Sequence, residues 1–422
     1  MEHPQPTLVR RAAHALLPPA LAWLVSWGWL AHQSTVPWND LFSSRTWGRW
    51  DSRWYVFIAR SGYTAVWHCG GHSVPPHLPP GNYLCGTISW FPGYPAAIRA
   101  VAAFTPLSLN AAALAIAWLS WFAVLAVMWQ LLRDSVSTRT RLLLLVLAAF
   151  SPGQIYFLAI FPISFTVAAL LGCLYFAFHV QRRGAAAAAF VLGAVAGTGY
   201  ISALAFCPAL ALGAVWAAEP RIRRAAAAGA AGVAAGFAAV LVTAQITTGI
   251  WDGYFIANSK FATGSHMPLV NLTAHLRPLW RTKGLVRPHL ATAQATQTAF
   301  ATALVLFVLA VAAFAMWRRP RDEESADGAT QDRPGGSLVV VRRSLETRIS
   351  AFDVTLLVAA VGAWLIPYTT GGRVSVWRSE AFVVVCIPLL RRLPARVVLV
   401  PVIVAVYVSW RLTPFFFNGQ LV

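Results

Sequence analysis

The chain has 422 residues, of which 58% are hydrophobic and only 11% charged, with a mean hydropathy of +0.61. A soluble domain of this length needs far more polar surface, so that class is excluded. The net charge of +19 sits largely in arginines at the ends of apolar blocks, a pattern that fixes orientation in a bilayer. No basic, aromatic-interleaved domain accompanies it, and no nucleic-acid partner is expected.

The apolar blocks predict an all-α polytopic membrane protein, a bundle of about 11 transmembrane helices at roughly 20 residues each. In chain order, Arg10-Arg11 precede a first span from Leu16 to Ala31. Ala31-His32-Gln33 is a poor cleavage site, so this block reads as a retained span with its N-terminus cytoplasmic. An outer loop over 33–107 follows, then a second span from Leu109 to Leu132 and an inner turn marked by Arg133, Arg139 and Arg141. Two spans meet outside near Phe161-Pro162 and return to Arg182-Arg183. Two more, broken near Gly199-Tyr200, lead back to Arg221, and the segment from Ala225 to Ile246 goes out again.

A second outer loop covers 249–297 and closes an N-terminal transmembrane module over 1–316. The hydrophilic insert over 317–350 reads as a disordered cytoplasmic loop. C-terminal transmembrane helices occupy 351–422, with an outer turn at Thr369–Trp377 and an inner one at Arg391–Arg396. On this topology only Asp40, Asp51, Asp252 and Glu380 bring a carboxylate to the outer face.

The run Arg49-Trp50-Asp51-Ser52-Arg53-Trp54-Tyr55 continues to Gly62-Tyr63. It suits an amphipathic interfacial helix from about Trp50 to Arg60, ended by Gly62. Asp51, Trp54, Tyr55 and Ile58 then share one face. A carboxylate among aromatic rings is partly desolvated, which raises its pKa and makes it a better base. The alternative is a tryptophan-anchored interfacial helix with Asp51 merely solvated.

This run resembles the signature of the second GPI-anchor mannosyltransferase family, especially its bacterial relatives. Trp90-Phe91-Pro92-Gly93-Tyr94-Pro95 is similar to that family's next motif. The resemblance covers the first third of the chain by motif and the remainder by hydropathy and loop placement. It implies a GT-C glycosyltransferase that takes a sugar, typically mannose, from a polyprenyl-phosphate donor and passes it to a lipid or glycan acceptor. The first-loop acidic residue, here Asp51, would be the base of an inverting transfer. The chain departs from the pattern at Ile163, where family members often carry an acidic residue ahead of the serine matched by Ser164.

Other residues join the expected substrate site. Arg49, Trp50, Arg53, Trp54 and Tyr55 flank the base. In the second outer loop, Asp252 and Lys260 precede a basic run of Arg277, Arg281, Lys283 and Arg287 that suits a lipid phosphate or anionic headgroups. Arg373, Arg378 and Glu380 lie in the last outer turn, where an ionisable group is costly unless paired or functional. By the resemblance, Arg378 would bind the donor phosphate; a structural Arg378–Glu380 pair is the alternative. Cys69 and Cys85, on the oxidising side, can close a disulfide.

His68, His72 and His77 match no standard zinc spacing, and no cofactor is expected. The arginine- and alanine-rich composition resembles a high-GC bacterium, placing the chain in the plasma membrane among its lipids with the site extracytoplasmic. The rival functions are a lipid or sugar transporter or flippase, a membrane acyltransferase, and a catalytically inactive relative. The near absence of mid-span charges weighs against transport.

Overall fold

A computed structural model of the chain describes residues 8–69, 84–259, 267–281, 289–317, 349–369 and 376–420. The expected insert over 317–350 falls almost wholly outside them, as do Lys260, Lys283, Arg287 and Arg373. The described chain is helical apart from one two-stranded hairpin, β1 (Val66–His68) paired antiparallel with β2 (Leu84–Gly86). A Cys69–Cys85 disulfide fastens that hairpin.

Helix α1 (Leu8–Gln33) contains the first expected span. The outer loop folds into a 3-10 turn at Trp38–Phe42, α2 (Ser44–Trp47), α3 (Ser52–Ser61), the hairpin, and α4 (Gly93–Phe104). Helix α5 (Leu109–Leu131) follows the expected second span closely. The third expected span is not one helix. Helix α6 (Thr138–Ala149) stops at Ser151-Pro152-Gly153, where Gly153 takes φ +90°, and the short α7 (Gln154–Leu158) precedes α8 (Ile163–Phe178). Proline and a left-handed glycine at that step end the helix and turn the chain inward.

Helix α9 (Ala185–Gly197), a 3-10 turn at Ile201–Ala205 and α10 (Phe206–Trp216) carry the expected break at Gly199-Tyr200. Then come α11 (Pro220–Thr248), α12 (Gly253–Ser259), α13 (Pro268–Leu276), α14 (Pro278–Arg281) and α15 (Leu290–Trp317). The chain closes with α16 (Ala351–Thr369), α17 (Val376–Glu380), a twelve-residue 3-10 helix at Ala381–Arg392, and α18 (Ala395–Phe417).

Among the described residues, α5, α11, α15, α16 and α18 are the five helices long and apolar enough to cross a bilayer. Their outward faces keep large apolar side chains exposed, including Leu119, Ile246, Leu306, Val400 and Ile403. Such surface is tolerated against hydrocarbon rather than water. Three shorter apolar helices, Ile163–Phe178, Ala185–Gly197 and Ile201–Trp216, pack beside them.

Hydrogen bonds between remote turns sort the ends of the bundle into two faces. On one face, Val136 N–H donates to the Arg391 carbonyl, the Trp216 indole donates to the Ile349 carbonyl, and Asp353 pairs with Arg391 and Arg392. On the other, Ser52 donates to the Ile160 carbonyl, Gly93 N–H to Thr198, and Arg49 to Phe417. Helix α18 links the two faces over its 23 residues, about 35 Å of rise. The arginine-marked turns thus share one end and the aromatic loops the other.

Candidate functional site

The site is assembled around α3. Its N-cap, Asp51, follows Trp50, which has φ +42°, the one non-glycine residue with positive φ among those described. A tryptophan there is held against its preference by surrounding contacts. Its ring meets Phe416 edge-on at 6.0 Å. Around it, Ser52 Oγ accepts from Arg49 N–H at 2.9 Å, and Ile160 N–H donates to the Trp47 carbonyl at 3.0 Å.

The far end of α3 is equally fixed. Gly62 closes it at φ +71°, and Arg99 donates to the Ala59 and Ile58 carbonyls at 2.7 and 3.3 Å. A cation at the helix C-terminus satisfies carbonyls that the helix leaves bare.

Asp51 occupies the N-cap of α3 but makes no capping hydrogen bond. Its Oδ2 instead accepts from Nη1 of Arg378, 327 residues away. The Arg378 side chain is 4% exposed and that of Asp51 31% exposed, so the pair sits at the edge of the interior with the carboxylate outward. The guanidinium also lies over the Phe161 ring, 4.6 Å from its centre. Nε and Nη2 of Arg378 are buried and have no hydrogen-bond partner among the described residues. An unpaired buried donor on a charged group is expensive, and here two remain on one side chain.

The setting of Asp51 therefore differs from the aromatic, desolvated face expected. Trp54 stacks on Trp90 at 5.0 Å, away from the carboxylate. Tyr55 is fully buried, and burial together with the Asp51 carboxylate holds its phenol well above the usual tyrosine range. It stays protonated.

Three residues not singled out in the sequence complete the shell. Tyr156, on α7, and Tyr200, at the α9 break, both lie within electrostatic reach of Arg378, and Tyr156 Oη is buried without a partner. Tyr200 stacks on Phe382 at 5.4 Å. Phe161 supplies the ring under the guanidinium. Each falls at a helix break, and breaks at Gly199-Tyr200 and Phe161-Pro162 are legible in the sequence; their convergence is not.

The remaining expected residues divide. Arg49 reaches the Phe417 carbonyl at 3.3 Å and ties the end of α18 to the loop. Arg53 is exposed beside the Trp54 ring. Asp252 is exposed with no side-chain partner among the described residues, and the structure does not bring it to Asp51. Lys260 and Arg373 lie outside the described residues.

Arg378 and Glu380 are not paired with each other. Glu380 accepts from Thr298 Oγ1 at 2.7 Å and Tyr368 Oη at 2.6 Å, and is 2% exposed. Two residues along a helix diverge by about 200°, which separates their side chains. The Tyr368 carbonyl accepts from Asn271 Nδ2 at 2.6 Å, and the Asn271 carbonyl contacts His275 Nδ1 at 2.8 Å. The second outer loop thus reaches the site through this chain of contacts.

Ile163, at the start of α8, is fully buried, and the adjacent Ser164 hydroxyl is buried without a partner. No family model matches the chain, and no curated protein matches it.

Proposed function

We propose that this protein is a membrane glycosyltransferase of the GT-C type. It moves a sugar, mannose by the resemblance, from a polyprenyl-phosphate donor to an acceptor hydroxyl on the face that carries Asp51. One observation supports this reading above the others. A half-open carboxylate and a buried arginine with two unpartnered donors meet across 327 residues of chain. A carboxylate can take a proton, and the Nε and Nη2 donors of one guanidinium suit a phosphate oxygen pair, which supports this reading.

The step balances simply. Asp51 takes the acceptor proton, and the acceptor oxygen forms its bond to the anomeric carbon. On the opposite side of that carbon the bond to the phosphate oxygen breaks, and its electron pair leaves on the polyprenyl phosphate. Configuration inverts. Arg378 meets the charge that develops on the leaving phosphate through Nε and Nη2, while Nη1 keeps Asp51 in place.

Membranes carrying the protein should release label from radiolabelled polyprenyl-phosphate mannose. Asp51→Asn should lower this at least about a thousandfold, and Arg378→Lys by roughly a hundredfold, since a single ammonium cannot replace the fork. Near-normal turnover in Asp51→Asn would sink the assignment.

A second reading has its own support. Ile163 leaves no carboxylate where the resembling family often has one, and Arg378 already engages Asp51. A catalytically inactive relative that only holds a phosphate lipid would bind the labelled donor without consuming it.

A further inference from the structure

At the opposite end of the bundle, the α8–α9 turn and the start of α11 enclose a cavity of about 460 Å³. Arg182 and Arg183 line it from one side, and Arg221 and Arg224 from the other. None of the four side chains has a hydrogen-bond or ion-pair partner among the described residues, although the Arg182 carbonyl accepts from Ala185 N–H at 3.2 Å. The nearest carboxylate of the turn, Glu219, is engaged by Gln181 at 3.4 Å.

The general bias of arginines toward one membrane face does not account for this. That bias places cations at helix ends; it does not require four to converge on one hollow without a counter-charge. Several of their neighbours on the same face have partners. Arg133 lies beside Asp134 at 3.7 Å, and Arg391 and Arg392 flank Asp353 at 2.6 and 3.3 Å. Arg141 stacks 3.5 Å over Trp129 and donates to its carbonyl.

The backbone adds to the same field. Helix α9 begins at the cavity rim behind Gly184, which takes φ +92°, with no side chain capping its first turn. Bare N–H groups at a helix start favour negative charge, and forked guanidiniums favour oxyanions over halides.

We infer that this cavity binds a phosphate-bearing anion through Arg182, Arg183, Arg221, Arg224 and the first turn of α9. The phosphate can arrive on a phospholipid headgroup at the bilayer edge or as a free anion from the adjoining water. The site is separate from the Asp51 centre, because α9 runs its 13 residues between the two ends, about 20 Å. It does not depend on the glycosyltransferase reading.

The test uses the full chain purified in a neutral detergent, with thermal unfolding followed at constant ionic strength. Phosphatidylglycerol, phosphatidylcholine and inorganic phosphate are titrated separately. Saturable stabilisation by phosphatidylglycerol alone identifies a headgroup site, and stabilisation by inorganic phosphate identifies a site open to free anions. Phosphatidylcholine should act at least about tenfold more weakly than phosphatidylglycerol.

The variant Arg182→Gln/Arg183→Gln/Arg221→Gln/Arg224→Gln should weaken the response at least about tenfold. If it does not fold, Arg182→Gln/Arg221→Gln, one change from each wall, gives the same reading. Removing equal charge outside the cavity, as Arg139→Gln/Arg396→Gln, should leave the affinity unchanged. No saturable response to either phosphate source, or an equal loss in the outside variant, overturns the inference.

Discussion

Asp51 and Arg378 depend on each other for more than chemistry. Among the described residues, Asp51 is the only hydrogen-bond partner of a guanidinium that is otherwise enclosed. Its loss leaves that charge uncompensated, a change that costs about 3–5 kcal/mol for a fully buried pair and less here because Asp51 is partly solvated. Asp51→Asn should therefore lower the thermal midpoint as well as turnover, by about 1–3 kcal/mol in stability. The Arg378→Met/Asp51→Asn double variant should recover part of that stability while remaining inactive, measured by thermal unfolding beside the donor assay. Trp50 offers a cleaner test of backbone strain. Both Trp50→Ala and Trp50→Gly lose the Phe416 contact, but only glycine is at ease at φ +42°. Trp50→Gly should be the more stable of the two by about 1 kcal/mol. Equal midpoints would mean that the loop relaxes out of that conformation.

Helices α9 and α11 approach through glycine. A Cβ at Gly232 would lie 2.1 Å from the Phe190 carbonyl oxygen, and one at Gly236 would lie 2.1 Å from that of Ala194. Gly193 and Gly197 present the matching small positions from α9, against the Gly229 and Val233 carbonyls. Without a hydrophobic drive between helices in lipid, close backbone contact is the main source of attraction, and small residues permit it. Gly232→Val should force the pair apart and cost roughly 2–4 kcal/mol, seen as a lower unfolding midpoint in detergent. The consequence extends beyond the pair. The end of α9 holds Thr198, which accepts from Gly93 at the start of α4, and carries the break at Tyr200. A displaced α9 would thus also disturb the aromatic wall near Arg378.

Across the whole bundle, the two ends are closed by different means. The loop end is held by main-chain acceptors and aromatic edges around α3. The arginine end is locked by Asp353 at the start of α16, which receives Arg391, Arg392 and the Ser350 hydroxyl. That cluster fixes α16 to the buried 3-10 helix at Ala381–Arg392, whose other end follows Glu380 and hence Arg378. Asp353→Asn strands Arg391 and should cost about 3 kcal/mol. If the 3-10 helix moves as a rigid strut, donor KM should rise as well. A lowered midpoint with unchanged KM would show that the lock stabilises the bundle without positioning Arg378.

Much of this arrangement was written in local patterns. Apolar block length and arginine spacing suffice for a helical membrane architecture and for the alternation of turns, because each helix satisfies its own backbone before any partner is chosen. The end of α3 at Gly62, the break at Gly199-Tyr200 and the Cys69–Cys85 bridge were legible for the same reason: glycine conformation, helical register and thiol chemistry act over short stretches of chain. Candidate Asp51 emerged from topology and register, its role from the resemblance. What tertiary packing alone decided was the company each charge keeps. Glu380, two residues from Arg378 in sequence, turns to Tyr368 and Thr298, while Asp51, 327 residues distant, takes the guanidinium. Asp252 stays exposed, and Tyr156 on α7, Phe161 and Tyr200 enter from two interruptions of the helical run, between α6 and α8 and after α9. A local pattern fixes which way a side chain points from its own helix. Which partner stands there depends on how unconnected helices pack, and burial makes that choice costly to get wrong.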